Sequence, residues 1–463
     1  MTASEIHDPL VPEGVARPPP DDEVPAGPAR RRRVGPIVAG AMVAGLAVAA
    51  GLVAAPFVTL RENMITGVVL LGFSVGWALL AALTMRWSDQ PQEWAFVPAA
   101  FMAASGGVLL VSSETTVPGV VDWVWPPALL ALVIWMITRA RRQLRSRSRR
   151  AVLYPVFAVL ILASVGGGYQ TVRATADGQA NPMVGELVDV GGHGLHLRCT
   201  GSGSPTVVLE PGLGEISSIF AWIEPAVAPD TRVCVYDRAG RGWSESGPGP
   251  QDGVQIATDL HALLDNAQIP GPYVLAGHSF GGLYVLAFAD RFPEDVAGLV
   301  LLDSTAPKSS SDNAGSYSIL SRAGAVLPTL ARVGGSRLVC FSSYGSLPPQ
   351  ARDEERAMCA TARQVDSAVD EFIQSPTAMA QAKALTDLGS KPLAVITAGS
   401  GHDAKWFAAQ DNLATLSTNT VHRVISGATH ASLLEAQDDA DAATRAIRDV
   451  VASARTHQPL PPS

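Results

Sequence analysis

Five long apolar stretches dominate the first third of the chain, at residues 34–58, 64–85, 94–111, 120–137 and 151–168. At about 1.5 Å per helical residue, each is long enough to cross a hydrocarbon layer about 30 Å thick. None offers a polar face to water, so the pattern predicts five transmembrane helices rather than helices of a soluble core. Beyond residue 184 the pattern changes to short apolar runs separated by amphipathic stretches. Runs at 186–190 and 195–199 predict a hairpin across Gly191-Gly192-His193-Gly194, and further strands follow at 206–209, 232–236, 273–276, 298–302, 393–397 and 421–425. Helical periodicity lies between most of them, as at 253–266 and 280–291. Strands that are apolar throughout, alternating with helices, predict an α/β unit with a doubly wound, mostly parallel sheet covered on both faces. Residues 307–389 break that rhythm with a helix-rich insertion, expected to cap the C-terminal ends of the strands.

Composition divides the chain in the same place. Residues 1–183 carry 12 acidic and 15 basic side chains, a net of +3, whereas residues 184–463 carry 30 and 19, a net of −11. Residues 1–33, with seven prolines and no apolar period, are expected to form a disordered cytoplasmic tail. A cleaved leader is not expected, because the first apolar run follows this polar segment and four more come after it. Arg30–Arg33 precede the first span, and Arg139, Arg141, Arg142, Arg145, Arg147, Arg149 and Arg150 crowd the connection between the fourth and fifth. The positive-inside rule therefore predicts a multi-pass protein with a cytoplasmic N-terminus and everything after residue 168 outside. Juxtamembrane arginines facing anionic lipid account for this basic loop without a nucleic-acid partner. Residues 169–183 read as a polar linker, and residues 184–463 as a globular domain large enough to bury its own core. Few charges fall within the spans, so a transport pathway is not expected and anchoring is the simpler role.

The chemistry centres on Gly277-His278-Ser279-Phe280-Gly281, between an apolar strand and a helical stretch. The G-x-S-x-G spacing fits a sharp strand-to-helix turn: the glycines give the steric room, and the serine hydroxyl is pushed out at the sheet edge. Three more segments occur in a meaningful order: Glu210-Pro211-Gly212-Leu213-Gly214 after the third strand, Tyr236-Asp237-Arg238-Ala239-Gly240-Arg241-Gly242-Trp243-Ser244 after the fourth, and Gly427-Ala428-Thr429-His430 after the last. On these motifs, residues 186–451 resemble the α/β-hydrolase family. The resemblance implies Ser279 as nucleophile, His430 as its base, and the backbone amides of Leu213 and Phe280 as an oxyanion hole. Pro211 stands where many relatives have histidine. The family's epoxide hydrolases and haloalkane dehalogenases use aspartate at the elbow, so Ser279 points to acyl chemistry, foremost carboxylic ester hydrolysis.

The triad acid has two candidates. Asp403 follows the seventh strand, the commoner family position and the preferred one, although it lies one residue beyond the usual Gly-x-x-Asp spacing. Asp303, after the sixth strand, is the alternative, and Asp411 reads as a solvated helix residue. His278 is expected to be structural, and His402 lies beside the acid candidates. His193 and His196 share a hairpin with no further ligands nearby, so neither a metal nor any other cofactor is expected. Cys199 and Cys234 read as separate buried apolar residues. Cys340 and Cys359, both in the cap and on the side expected to be oxidising, are expected to form a disulfide. Together these features predict a membrane-anchored serine esterase or lipase, acting on a small or lipid-like ester, with the bilayer as its other partner. The competing reading is a receptor whose hydrolase-like domain binds a ligand without turnover.

Overall fold

The computed structural model describes residues 34–88, 90–111, 118–144, 153–307 and 321–462. The tail 1–33, Arg145, Arg147, Arg149, Arg150 and the first part of the expected cap, 308–320, lie outside them. The five apolar stretches form α1 (Val34–Ala54), α2 (Glu62–Trp87), α3 (Phe96–Val111), α4 (Pro118–Gln143) and α5 (Tyr154–Ala180), and each, α3 together with the turn Glu93–Ala95 before it, is apolar and long enough to cross a membrane. Their outward side chains are themselves apolar; Val43, Leu46, Val159 and Leu162 are mostly exposed, as lipid-facing residues would be. Helices α1 and α2 approach closely through small residues: a Cβ on Gly72 would lie 2.5 Å from the Ala49 Cα, and one on Gly45 2.8 Å from that of Gly76. The polar stretch expected to be a linker continues α5 as far as Ala180, because no proline interrupts it before Pro182.

The C-terminal domain is built on an eight-stranded sheet in the order β1-β2-β4-β3-β5-β6-β7-β8. The strands are β1 (Glu186–Asp189), β2 (Gly194–Thr200), β3 (Thr206–Glu210), β4 (Val233–Tyr236), β5 (Tyr273–His278), β6 (Val296–Leu302), β7 (Leu393–Ala398) and β8 (Thr420–Ile425). Among the described residues, only the β1–β2 and β2–β4 pairings are antiparallel. Short α6 (Ile223–Val227) is followed by α7 (Gly253–Asn266) and α8 (Gly281–Arg291). The side of the sheet covered by α7 and α8 receives Val208, Leu275, Leu299, Leu301 and Val395, while α6 lies on the other side. The opposite face presents Val207, Leu209, Val274, Val300 and Ile396 to α15, defined below. Both faces are therefore covered, which is the reason the strands carry no polar alternation.

Between β6 and β7 the described part of the cap consists of α9 (Leu327–Arg332), α10 (Arg337–Cys340), α11 (Pro349–Cys359) and α12 (Ala362–Ala382). After β7 come α13 (Ala404–Ala414), then β8, α14 (Ser432–Glu435) and α15 (Gln437–Thr456). The expected Cys340–Cys359 disulfide joins α10 to α11. Cys199 and Cys234 are also bonded, which corrects their reading as separate apolar residues. The antiparallel β2–β4 register places them directly opposite each other, a pairing that burial alone does not reveal.

Candidate active site

Ser279 leaves the end of β5 in the left-handed region, at φ +54°, before α8 begins. Neighbouring backbone holds this unfavourable conformation. The Ser279 amide donates to the Leu302 carbonyl at 3.1 Å, and the Thr305 amide donates to the Ser279 carbonyl at 2.9 Å. The flanking glycines are required by contact: a Cβ on Gly277 would lie 2.5 Å from the Gly281 carbonyl oxygen, and one on Gly281 2.4 Å from that of Glu210. Because Glu210 pairs with Gly277 in the sheet, the loop Pro211–Gly214 emerges beside the elbow, and a Cβ on Gly212 would lie 3.0 Å from the Ser279 Cβ. The amides of Leu213 and Phe280 belong to these two adjacent turns, and neither donates to another described residue. They are two donors available for a developing oxyanion.

His430 follows β8, and its Nδ1 lies 2.6 Å from Oδ2 of Asp303. The carboxylate that meets His430 is thus that of Asp303 and not of Asp403, which corrects the preferred expectation. Asp403 is the N-cap of α13, where its side chain accepts the Trp406 amide at 2.9 Å. Asp303 sits just past β6 at φ +43°, and its amide donates to the Ile396 carbonyl of β7 at 2.6 Å, so the backbone aims the carboxylate across the sheet edge. Asp411 is exposed and pairs with His422.

Four donors surround the buried Asp303 carboxylate. Oδ1 accepts from the Ala398 amide at 3.1 Å and from Trp406 Nε1 at 2.9 Å, while Oδ2 takes His430 Nδ1 and, at 2.7 Å, His402 Nε2. Burial opposes the charge, but the hydrogen bonds from His430, Trp406 and His402 outweigh it and hold the carboxyl below its usual range. The His402 ring stacks on Trp406 at 4.5 Å, nearly parallel. Sequence reasoning missed the role of both residues; the only signal was the adjacency of His402 to the acid candidates. Ligand atoms of Asp303, His402 and His430 also lie within 4.8 Å of one another, a spacing that could take a cation. As they stand, both imidazole nitrogens lie at hydrogen-bond distance from one carboxylate oxygen.

His278 is fully buried and links two loops of the site. Its Nδ1 lies 3.1 Å from Oε2 of Glu215, which also accepts the Gly212 amide, and its Nε2 donates to the His430 carbonyl at 3.1 Å. The oxyanion loop is anchored on its other side by Arg238, which donates to the Pro211 and Gly212 carbonyls, both at 2.7 Å, to Glu210 at 2.6 Å, and to Glu371 of the cap at 2.9 Å. Burial raises Glu371, but Arg238 and Arg241 prevail and keep it ionised; burial pushes Glu210 up to about 7 despite Arg238. His193 and His196 have separate acidic neighbours, Asp259 and Asp237, and do not converge on one point.

Residues 205–333 match the family model of the alpha/beta hydrolase fold. Over 127 residues, 26% of this chain and 18% of the relative, the chain is 36% identical to a probable transporter of Hormonema carpetanum. It is 30% identical over 280 residues, 51% of this chain and 50% of the relative, to an uncharacterized protein of Schizosaccharomyces pombe. A 2-hydroxy-6-oxo-2,4-heptadienoate hydrolase of Pseudomonas putida is 33% identical over 128 residues, 26% of this chain and 45% of that enzyme. The chain spans half or less of the length of each of these relatives. On the sequence match and the sheet topology together, the C-terminal domain of this chain is an α/β-hydrolase-fold domain, preceded by a region of five apolar membrane-type helices.

Proposed function

We propose that the chain is a membrane-anchored serine hydrolase of carboxylic esters, with Ser279 as nucleophile, His430 as base and Asp303 as the acid that orients it. The observation that carries this reading is the Asp303–His430 bond beside a serine held at φ +54°. Asp303 accepts Nδ1–H, which leaves His430 Nε2 unprotonated and able to take the Ser279 proton as Oγ attacks the ester carbonyl. Negative charge then develops on the carbonyl oxygen, for which the Leu213 and Phe280 amides are the available donors. Collapse releases the alcohol, which takes the proton from His430, and water cleaves the acyl-enzyme by the same steps in reverse.

The arginine distribution and two disulfides, which persist in oxidising compartments, support a hydrolase domain on the extracytoplasmic side with the N-terminus in the cytoplasm. The test is p-nitrophenyl ester hydrolysis and fluorophosphonate labelling by the full chain in nanodiscs, beside Ser279→Ala. Both signals are expected in the parent and absent in the variant. A folded parent with neither signal would leave the ligand-binding receptor reading in its place.

A further inference from the structure

The cap is seated in the membrane bundle itself. Arg322 donates to the Val53 and Ala55 carbonyls, both at 3.0 Å, and so covers the C-terminal end of α1. Thr329 of α9 bonds Thr66 of α2 at 2.7 Å, and Arg332 pairs with both Glu62 of α2 and Asp122 of α4. Below these polar contacts, Ala325 is buried in an apolar cluster with Val58, Ile65 and Val68. Val68 lies six residues into α2 from Glu62, about 9 Å along the helix. Against α5, a Cβ on Gly166 would lie 2.3 Å from the carbonyl oxygen of Val333, the residue after Arg332. Val165, the preceding residue of α5, faces outward among the exposed apolar residues of that helix.

From that depth α10 climbs along α5, with Arg337 bonded to Gln170 and paired with Asp177. Beside these contacts Leu338, Val339 and Phe341 are exposed, at 83%, 68% and 78%, with the Arg356 guanidinium over the Phe341 ring at 5.7 Å. Three large apolar residues so exposed on four positions of chain are unusual for a surface facing water. Arg337, which precedes them, bonds Gln170, the neighbour of Tyr169, an exposed aromatic where α5 turns polar, which is the expected position of a membrane–water interface. The occupant that continues this surface is the bilayer already surrounding α5.

The same element is tied to the reaction centre. Cys340 of α10 is bonded to Cys359 of α11, whose Glu354 accepts the Ser218 hydroxyl and whose Glu355 accepts the Ile216 amide, just past the oxyanion loop. We infer that α10 and the residues around it rest in the bilayer leaflet on the hydrolase side, so that the site takes acyl esters from that leaflet. This deepens the ester-hydrolase reading and rests on it for the substrate. It also gives the spans beyond the first a use: α2, α4 and α5 form the seat that sets the depth of the cap.

The test uses the full chain in phosphatidylcholine nanodiscs. All four native cysteines are bonded, so a cysteine introduced by Leu338→Cys or Phe341→Cys can be labelled singly with an environment-sensitive fluorophore. Doxyl-labelled lipid is expected to quench both probes strongly and to leave one at Ala452→Cys, near the far end of α15, unquenched. Absence of quenching at 338 and 341 would overturn the inference. A second arm uses Leu338→Asp/Phe341→Asp with two esters. Hydrolysis of a bilayer-borne 4-methylumbelliferyl palmitate should fall several-fold while that of soluble p-nitrophenyl acetate is unchanged. Equal effects on the two would overturn the route from the leaflet, whereas a parent that hydrolyses neither ester, with quenching intact, would overturn the catalytic reading instead.

Discussion

Replacing Asp303 by asparagine tests the assignment of the acid, because the structure fixes what each orientation of the new amide must meet. The carboxylate has two donors on each oxygen: Ala398 N–H and Trp406 Nε1–H on Oδ1, His430 and His402 on Oδ2. With its NH₂ turned toward Oδ1's partners, the amide would face two donors that cannot become acceptors, at about 1–3 kcal/mol for each unsatisfied group. With its NH₂ turned toward the histidines, it is accommodated by a change of tautomer. The second orientation is therefore favoured, and it moves the His430 proton to Nε2, where it blocks acceptance from Ser279. A triad with the wrong tautomer loses about 10⁴-fold in kcat, or about 5.5 kcal/mol of transition-state stabilisation. The assay is the acylation rate with p-nitrophenyl butyrate and the fluorophosphonate labelling rate, beside a thermal melt. Asp403→Asn is the control, and since asparagine caps a helix as well as aspartate does, it should leave rate and melting unchanged. If Asp303→Asn kept activity within tenfold of the parent, or if Asp403→Asn lost as much, the assignment would be wrong.

Three further outcomes follow from the packing and charge of the domain. Gly277→Ala places a Cβ 2.5 Å from the Gly281 carbonyl oxygen, so it should cost about 1–3 kcal/mol and lower labelling of Ser279; unchanged melting and labelling would refute the close approach. The disulfides close separations of 35 and 19 residues, and their removal by Cys199→Ala/Cys234→Ala and Cys340→Ala/Cys359→Ala should cost about 4 and about 3 kcal/mol on the chain-entropy relation, read by denaturant melts. For buried His278, desolvation disfavours the charged ring, but the Glu215 carboxylate prevails and raises its pKa above 6.5. The stabilisation is then complete below about pH 6.5 and is lost as pH rises through the raised value. The melting difference between the parent and His278→Gln should accordingly shrink from pH 6 to pH 9, and a constant difference would count against the ion pair.

Features written in contiguous residues were legible before any coordinates. The length and apolarity of the five N-terminal helices, the strand–helix alternation and the G-x-S-x-G turn each depend on neighbours within a few positions, where sterics and solvent transfer act directly. The position of His430 was legible too, from the order of motifs along the chain. The boundary of α5 was not, because polar residues without a proline are as compatible with a helix as with a linker.

Pairings across the sheet were beyond reach of such local rules. Asp303 and Asp403 both follow apolar strands, and nothing in either segment records that one turns its carboxylate to His430, 127 positions away, while the other spends its oxygens on the first turn of α13. That outcome is set by the adjacency of β6 and β7 and by the left-handed backbone of Asp303. The antiparallel β2–β4 register likewise brings Cys199 against Cys234, and the convergence of α1, α2, α4 and α5 makes the seat for Arg322 and Arg332. In each case the partners are brought together by chain packing over long separations, a contribution to the energy that no short segment carries.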